Sequence, residues 1–391
     1  NTATLTASDG TDLYSYNNSQ NAVITVGDPP ISNHYVSLSG GHLAPFANWT
    51  DAATNIQDAI DVATGGGTVW VTNGIYDVGG RPADGWTTTN RVCITNWVTV
   101  QSMNGPDVTE IVGAADPATT NGRAAVRCVF MNGNGTLNGF TLRDGYTDEA
   151  GGETYGGGVY FDGGGELDDC IIRNCRAYDN GGGAAIDSGG IIIDTLIISN
   201  RAQYGGGVYS SGGDGLIRCE VRNNTADFNG GGVLSEYGGG GLDTCLIAGN
   251  TAQEDGGGVY MDGSGDIYMS TLAGNYSGTS GGGAYLIDCY YIYSSIIYAN
   301  TASADDNYFD YYGSASFEYV CTTPDPGGSS NTTANPLFVD AAGGDFRLQA
   351  GSPCVDTGNP EDNWPMLDVA GVPRPLDGDT NGVAVIDLGA Y

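Results

Sequence analysis

The chain has 391 residues, of which 66 are glycine, 12 are basic and 46 are acidic, so its formal net charge is −34 at pH 7. The basic residues are all arginine. A surface this negative repels nucleic acid and anionic membranes, which excludes both as expected partners, and it repels an acidic polysaccharide unless a cation bridges the two. No run of about 18 apolar residues occurs, so the sequence predicts no membrane span.

Residues 1–30 predict an N-terminal β-strand arm. Apolar and polar residues alternate in 2–6 and 22–26, which is the pattern of half-buried strands, and Asp28, Pro29 and Pro30 then form a stiff boundary. Thirty residues cannot build a core alone, and these strands are expected to have no partner in their own sequence neighbourhood, so they need one elsewhere, such as another subunit.

Residues 31–66 predict a lead-in segment that ends in a capping helix over 51–63. Apolar residues recur there at helical spacing, Thr50 or Asp51 can cap the start, and Gly65 follows the end. The apolar face consists of Ala52, Ile56, Ala59, Ile60 and Ala63.

Six glycine triplets dominate the middle of the chain. They start 24 to 26 residues apart, at Gly156, Gly181, Gly205, Gly230, Gly256 and Gly281. A period this constant is the signature of a stacked repeat, and glycine permits the backbone angles that sharp corners need. The sequence therefore predicts an all-β fold, a parallel β-helix of about ten coils over 67–322, closed by a region over 323–391.

Columns of equivalent residues recur within each repeat. Aliphatic columns predict a continuous interior, because parallel strands place equal positions directly above one another. A turn column of asparagines predicts a structural ladder in which stacked side chains bond the backbone and each other. The ladder consists of Asn200, Asn224, Asn250, Asn275 and Asn300.

These motifs resemble those of known β-helix proteins. The runs 56–61, 67–71 and 74–76 look like the start of right-handed parallel β-helices of the pectin-lyase-like superfold, in which a helix closes the N-terminal end of the coil. The Gly-Gly-Gly-Val-Tyr repeats are similar to those of polymorphic outer-membrane proteins, and the runs 335–340 and 351–358 resemble the closing region of large secreted bacterial β-helix proteins. The resemblance implies a bacterial protein outside the cell or on its surface, and a chain that begins at Asn1 is expected to be a processed form.

Asp168 and Asp169 are the best candidate for catalytic carboxylates. Asp194 and Arg218 are their neighbours in the predicted stack, and an acid pair near an arginine suits general acid–base chemistry. β-Helix enzymes of the resembling superfold cut acidic polysaccharides with carboxylates on one coil face, with Arg or Lys as the base in lyases. The alternative interpretation is a solvated ladder of surface charges.

A tyrosine column follows the glycine triplets and is expected to point away from the coil interior. Such a row can stack on sugar rings, form a lateral protein contact, or pack beneath a loop or an added strand. The column consists of Tyr160, Tyr209, Tyr260 and Tyr285.

Acidic residues near the C-terminus predict a Ca²⁺ site. Asp377, Asp379 and Asn381 alternate, Gly382 holds the sixth place, and Asp387 follows, which matches the first half of a calcium loop. The twelfth position is leucine rather than glutamate, and the alternative interpretation is an acidic turn.

Nine cysteines are an odd number, so at least one is expected to be free or paired between chains. Cys170, Cys219 and Cys245 belong to an inward column, where stacked parallel side chains are poorly aimed for disulfides, so buried free thiols are expected. The pairs Cys321–Cys354 and Cys93–Cys128 are candidate bridges.

The main functional hypothesis is a non-enzymatic extracellular subunit that self-assembles into a homopolymer, end to end or by donation of the N-terminal strands. The first alternative is a carbohydrate-active β-helix, namely a polysaccharide lyase, a hydrolase or a binding module. The second alternative is an adhesin displayed singly.

Overall fold

The computed structural model describes residues 2–4, 23–25, 33–149, 153–263, 265–289, 291–362, 366–375 and 384–391. Across the described residues the chain winds into a parallel β-helix, which confirms the predicted fold class. Each regular coil contributes one strand to each of three long sheets, called sheets I, II and III in the order in which a coil visits them.

Sheet I begins with one antiparallel strand and then stacks parallel strands, with ten in the described part of the chain. Its strands are Arg81–Pro82, Thr89–Ile94, Val126–Met131, Val159–Phe161, Ala184–Ile186, Val208–Ser210, Val233–Glu236, Val259–Asp262, Ala284–Ile287 and Tyr308–Asp310.

Sheet II runs along the whole coil and is parallel throughout the described residues. Its strands are Asn33–Val36, Gly67–Val71, Val98–Ser102, Thr136–Asn138, Glu166–Asp168, Ile191–Ile193, Gly215–Ile217, Leu242–Asp243, Ile267–Tyr268, Tyr291–Tyr293 and Ser316–Glu318.

Sheet III follows sheet II after a tight corner, and a short parallel sheet IV accompanies the regular coils. The strands of sheet III are Gly74–Tyr76, Thr109–Val112, Thr141–Arg143, Ile171–Arg173, Leu196–Ile198, Glu220–Arg222, Leu246–Ala248, Thr271–Ala273, Ile296–Tyr298 and Cys321–Thr322. Those of sheet IV are Arg201–Ala202, Thr225–Ala226, Thr251–Ala252 and Tyr276–Ser277.

Aliphatic side chains fill the interior because the inward-pointing positions of each strand stack on the equivalent positions of the next coil. In sheet II, for example, Leu167 pairs with Ile192, which pairs with Leu216, and all three are buried. Buried apolar columns of this kind supply the main stabilisation of the coil.

The asparagine ladder lies at the corner after sheet III. Asn250 Oδ1 accepts hydrogen bonds from the backbone N and the Nδ2 of Asn224, at 2.9 and 3.0 Å. Asn250 Nδ2 donates to Val221 O at 2.9 Å and to Asn275 Oδ1 at 3.0 Å. The same pattern recurs at Asn200 and Asn275, so every buried amide in this part of the ladder has partners in adjacent coils.

The helix is shorter than the sequence predicts. It spans Ile56–Val62, and Asn55 caps it by accepting a hydrogen bond from the backbone N of Asp58 at 2.9 Å. The helix does not begin at 51 because Ala53 is extended and pairs with Val36 at the edge of sheet II. The helix packs against the first strands of the coil, with Ile56, Ala59 and Ile60 buried.

The N-terminal strands pair with each other. Thr2–Thr4 and Val23–Thr25 form an antiparallel ladder in which Thr2 lies opposite Thr25. The expectation that these strands lack a partner in their own neighbourhood is therefore wrong. No helix in the described part of the chain is long and apolar enough to cross a membrane.

The C-terminal segment folds back along the outer face of sheet III. Its short strands are Phe338–Asp340 with Asp345–Leu348, and Met366–Leu367 with Pro373–Arg374. Phe338, Phe346 and Leu388 pack on Leu246 and Ile296, which face outward from sheet III. The segment returns as far as the sixth strand of sheet III, where Arg222 Nη1 donates to Gly344 O at 3.1 Å.

Gly231→Ala is expected to lower the free energy of unfolding by about 2–4 kcal/mol. A Cβ at this middle glycine of a triplet would lie 2.4 Å from Gly257 O and 2.4 Å from the carbonyl carbon of Thr251, both main-chain atoms of the next coil. Thermal denaturation followed by circular dichroism measures the loss. Gly238→Ala is the control, because its Cβ meets nothing within 4 Å and only its φ of +89° is unfavourable. Equal melting temperatures for the two variants would contradict close coil packing as the role of the triplets.

Candidate carboxylate site at the corner between sheets II and III

The corner between sheets II and III presents one side chain per coil in the left-handed backbone region. Asp169, Asp194 and Arg218 occupy this position in three successive coils, with φ of 48°, 46° and 49°. Aspartate tolerates this conformation better than most residues, because its short polar side chain can bond locally. The repeat therefore stacks two carboxylates and a guanidinium at the spacing of parallel strands, about 4.8 Å.

Asp168 and Asp169 lie side by side at the start of this column. Asp168 Oδ2 accepts a hydrogen bond of 2.5 Å from Asn138 Nδ2, whose Oδ1 accepts one of 2.7 Å from Gln101. Asp169 is exposed at the corner. Partial desolvation raises the pKa of Asp169, and the nearby charges of Asp168, Asp194 and Asp107 raise it further. A carboxyl group with a raised pKa beside other carboxylates suits the role of general acid.

Asp194 and Arg218 form a bidentate ion pair. Arg218 Nε and Nη2 each lie 2.7 Å from a carboxylate oxygen of Asp194. The hydrogen bonds that Arg218 donates to Asp194 raise the pKa of Arg218, so this guanidinium stays protonated and cannot act as a base. Arg173, which lies on the coil of Asp169, is turned away and pairs with Glu110 at 3.1 Å.

A cleft of about 320 Å³ opens beside this pair. One wall is the coil itself and the other is the turn Val369–Gly371 of the C-terminal segment. The turn is held by Asp368, whose Oδ1 accepts from the backbone N of Ala370 and Val372 at 2.8 and 2.7 Å. The coil wall consists of Asp194, Thr195, Leu196, Arg218 and Glu220. Sequence reasoning missed this wall, because no repeat relates the C-terminal turn to the coil.

The tyrosine column lies on the outer face of sheet I but is largely covered. Tyr160 is 2% exposed, Tyr209 7% and Tyr285 9%, and Tyr260 is half-buried. Tyr160 packs edge-on against Trp86, Phe130 and Tyr155, and Tyr209 stacks on Tyr155 at 6.1 Å. Tyr160 and Tyr209 therefore pack beneath loops, which is one of the roles considered for this column. They do not form an exposed row of rings.

Three of the four predicted calcium ligands, Asp377, Asp379 and Asn381, lie outside the described residues. Asp387 is described, and its Oδ1 accepts a hydrogen bond from the backbone N of Asp356 at 2.8 Å. Burial raises the pKa of Asp387 to about 6. The described residues contain no group of three or more side chains placed to hold a metal ion, so Ca²⁺ binding stays a prediction.

All nine cysteines are buried, and none of them forms a disulfide bond in the described part of the chain. The candidate bridge between Cys93 and Cys128 does not form, because the two side chains lie on opposite faces of sheet I. Cys93 packs with Phe130 on the outer face, whereas Cys128 belongs to the interior. Three pairs of thiols are nevertheless neighbours, namely Cys128 with Cys175, Cys219 with Cys245, and Cys321 with Cys354.

Comparison with known proteins places the fold. No family model matches the chain, and no match is found among curated proteins. Among solved structures, the chain is similar to pectate lyase Pel9A, with a TM-score of 0.52 and 14% identity over 92% of this chain and 96% of that one. A pectin methylesterase solved with a hexasaccharide is more distant, with a TM-score of 0.35 and 12% identity over 81% of this chain and 98% of that one.

The likeness to Pel9A shows a parallel β-helix over nearly the whole chain and corrects the main functional hypothesis. The neighbour, matched over 96% of its chain, is a pectate lyase and not a structural subunit. The strand-donation argument also fails, because the N-terminal strands pair with each other. The hypothesis of a non-enzymatic, self-assembling subunit is therefore wrong, whereas the adhesin alternative stays a prediction.

Proposed function

We propose that this protein is a carbohydrate-active β-helix that hydrolyses a neutral polysaccharide at the Asp168–Asp169 corner. The observation that carries the proposal is the position of Asp169. Its carboxyl group has a raised pKa and lies beside Asp168. The corner residues of the next two coils, Asp194 and Arg218, line a cleft. The end-to-end likeness to a pectate lyase supports a polysaccharide as the partner.

The chemistry assigned to the two carboxyl groups is general acid–base catalysis. Protonated Asp169 donates its proton to the glycosidic oxygen as the bond to the anomeric carbon breaks. Asp168, oriented by Asn138, either takes a proton from the attacking water or attacks the anomeric carbon itself. Hydrolysis fits better than β-elimination, because Arg218 is held protonated by Asp194 and supplies no base.

Charge decides the class of polysaccharide. The arginines around the corner already have acidic partners: Arg218 bonds Asp194, and Arg143 and Arg173 both bond Glu110. A uronate placed beside Asp168 and Asp169 would add a like charge, which costs about 4 kcal/mol at 4 Å near a protein surface. Neutral sugars avoid this repulsion, since their hydroxyl groups can donate to the carboxylates and their apolar faces can contact Leu196 and Val369.

The proposed location is outside the cell, where polysaccharides are met. The net charge of −34 favours solubility there.

A panel of polysaccharides tests the proposal. It contains polygalacturonate, its carboxyl-reduced counterpart, and neutral glucans, mannans, xylans and galactans. Each is incubated with the protein in Ca²⁺ or in a chelator, and reducing ends, unsaturated products and bound protein are measured. New reducing ends from a neutral polymer, without unsaturated products, are expected. Unsaturated products from polygalacturonate would show that the protein cleaves by elimination and not by hydrolysis. Binding without cleavage would show that it is a binding module. Absence of both binding and cleavage would refute the proposal.

A further inference from the structure

Cys321 and Cys354 join two parts of the chain that are remote in the repeat. Cys321 lies in the last strand of sheet III, where its backbone N donates to Ser295 O at 2.9 Å. Cys354 lies in the C-terminal segment and pairs through its carbonyl with Leu388 N at 2.9 Å. The two side chains are fully buried in the same apolar cluster, where Cys354 is a neighbour of the Cys321 thiol, whose Sγ donates to Ala334 O at 3.2 Å.

We propose that Cys321 and Cys354 form a disulfide bond under oxidising conditions and that this bond fixes the C-terminal wall of the cleft. The segment that carries Cys354 continues into the Val369–Gly371 turn, which faces Asp194 and Arg218 across the cleft. The two parts are also joined near Cys354, since Val369 N donates to Ala390 O at 2.9 Å. A covalent link at Cys354 therefore restrains the wall through a short, hydrogen-bonded path.

The oxidant is a low-molecular-weight disulfide such as oxidised glutathione. The thiolate of one cysteine attacks a sulfur of glutathione disulfide and releases one glutathione thiolate. The second cysteine thiolate then attacks the mixed disulfide and releases the other. In total, the two protein thiols lose two protons and two electrons, and one glutathione disulfide becomes two glutathione molecules.

Both thiols are buried when the C-terminal segment is docked on sheet III. The reaction therefore requires this segment to detach, or to have not yet docked. The neighbouring thiol of Cys354 and burial raise the pKa of Cys321, which lowers the thiolate fraction and slows attack at neutral pH. The bond is therefore expected to form during folding in an oxidising compartment, or slowly at alkaline pH.

The pair Cys219 and Cys245 provides an internal control. Cys219 and Cys245 occupy the same position in adjacent coils, and stacked parallel strands hold such side chains about 4.8 Å apart. A disulfide needs Cβ atoms at about 3.5–4.5 Å, and rigid strands on both sides resist the adjustment. Cys354 lies in no strand of the coil, so the Cys321–Cys354 pair, unlike Cys219–Cys245, has a partner that can shift.

Peptide mapping of the full chain tests the proposal. The protein is equilibrated at pH 8 in oxidised and reduced glutathione, alkylated, digested and analysed by mass spectrometry. A linked Cys321–Cys354 peptide is expected, with the thiols of Cys219 and Cys245 recovered alkylated. Recovery of Cys321 and Cys354 as separate alkylated peptides, or linkage of a different pair, would overturn the assignment.

Hydrogen exchange and thermal denaturation test the consequence for the cleft. Oxidation is expected to slow exchange in 366–372 and to raise the melting temperature by about 5 °C, because the link restricts the unfolded chain. Cys354→Ser should show neither change on oxidation. A linked protein with unchanged exchange at 366–372 would refute the wall-fixing role. These measurements need no glycan, so their outcome is independent of the proposed hydrolysis.

Discussion

Asp169→Asn is expected to reduce hydrolysis of the neutral polymer by about 10²–10⁴-fold, because an amide cannot donate the proton that the leaving oxygen requires. Initial rates of reducing-end release measure the loss. The fold should be preserved, since asparagine also tolerates the left-handed backbone at this corner, where φ is 48°.

Asp305→Asn is the matched control for this loss. Asp305 is likewise exposed and has a φ of 57°, but it lies on another part of the coil. Its variant should retain activity. Full activity of Asp169→Asn would remove Asp169 from the mechanism, and equal losses in both variants would indicate an effect on the fold instead.

The same substitution predicts a pH-dependent gain in stability. The pKa of Asp169 is raised in the folded state, so its ionisation disfavours folding, and the penalty develops as pH rises from the unfolded pKa through the folded one. Asp169→Asn should therefore melt higher than the parent chain at pH 7, and the difference should disappear below about pH 4. A variant that is both more stable and inactive fits a carboxyl group kept for chemistry, whereas a lower melting temperature at pH 7 would contradict the raised pKa.

Asn250→Ala is expected to lower the free energy of unfolding by about 3–4 kcal/mol, the largest stability effect of the substitutions considered. Asn250 is fully buried and takes part in four side-chain hydrogen bonds with residues of neighbouring coils. Alanine leaves the backbone N of Asn224 and the Val221 carbonyl buried without these partners. Chemical denaturation measures the change.

Asn104→Ala is the control for the ladder. Asn104 is exposed, and its side chain donates a hydrogen bond of 2.6 Å to Asn73 on the surface. The expected change is within about 0.5 kcal/mol. If Asn250→Ala were equally mild, water would be satisfying the ladder groups, and the stacked amides would not hold the coils together.

Electrostatics separates the proposed site from that of an enzyme for acidic polysaccharides. At the corner, Arg218 is committed to Asp194, and the pKa of Asp169 is raised partly by its acidic neighbours. The likeness to a pectate lyase shows the fold alone. The proposal of a neutral substrate rests on the side chains at this corner.

The sequence was least informative where segments from different parts of the chain meet. The alternation at 2–6 and 22–26 predicts strands, but the pairing of these strands with each other is a choice that alternation cannot encode. The column position of Tyr160 predicts an outward ring, yet Trp86, from a loop two coils away, covers it. The helix begins at Ile56 because Ala53 pairs with Val36, a contact that helical spacing does not reveal.

The sequence by itself determined the coil, because a strict period carries its own tertiary contacts: each residue packs on its equivalent 24 to 26 positions away. The glycine triplets, the aliphatic columns and the asparagine column all follow from this rule, as does the stacking of Asp169, Asp194 and Arg218. Only the tertiary structure decided where the C-terminal segment lies. Its contacts with sheet III repeat nowhere, so the cleft wall at Val369–Gly371 and the contact between Cys321 and Cys354 depend on one particular docking of two unrelated surfaces.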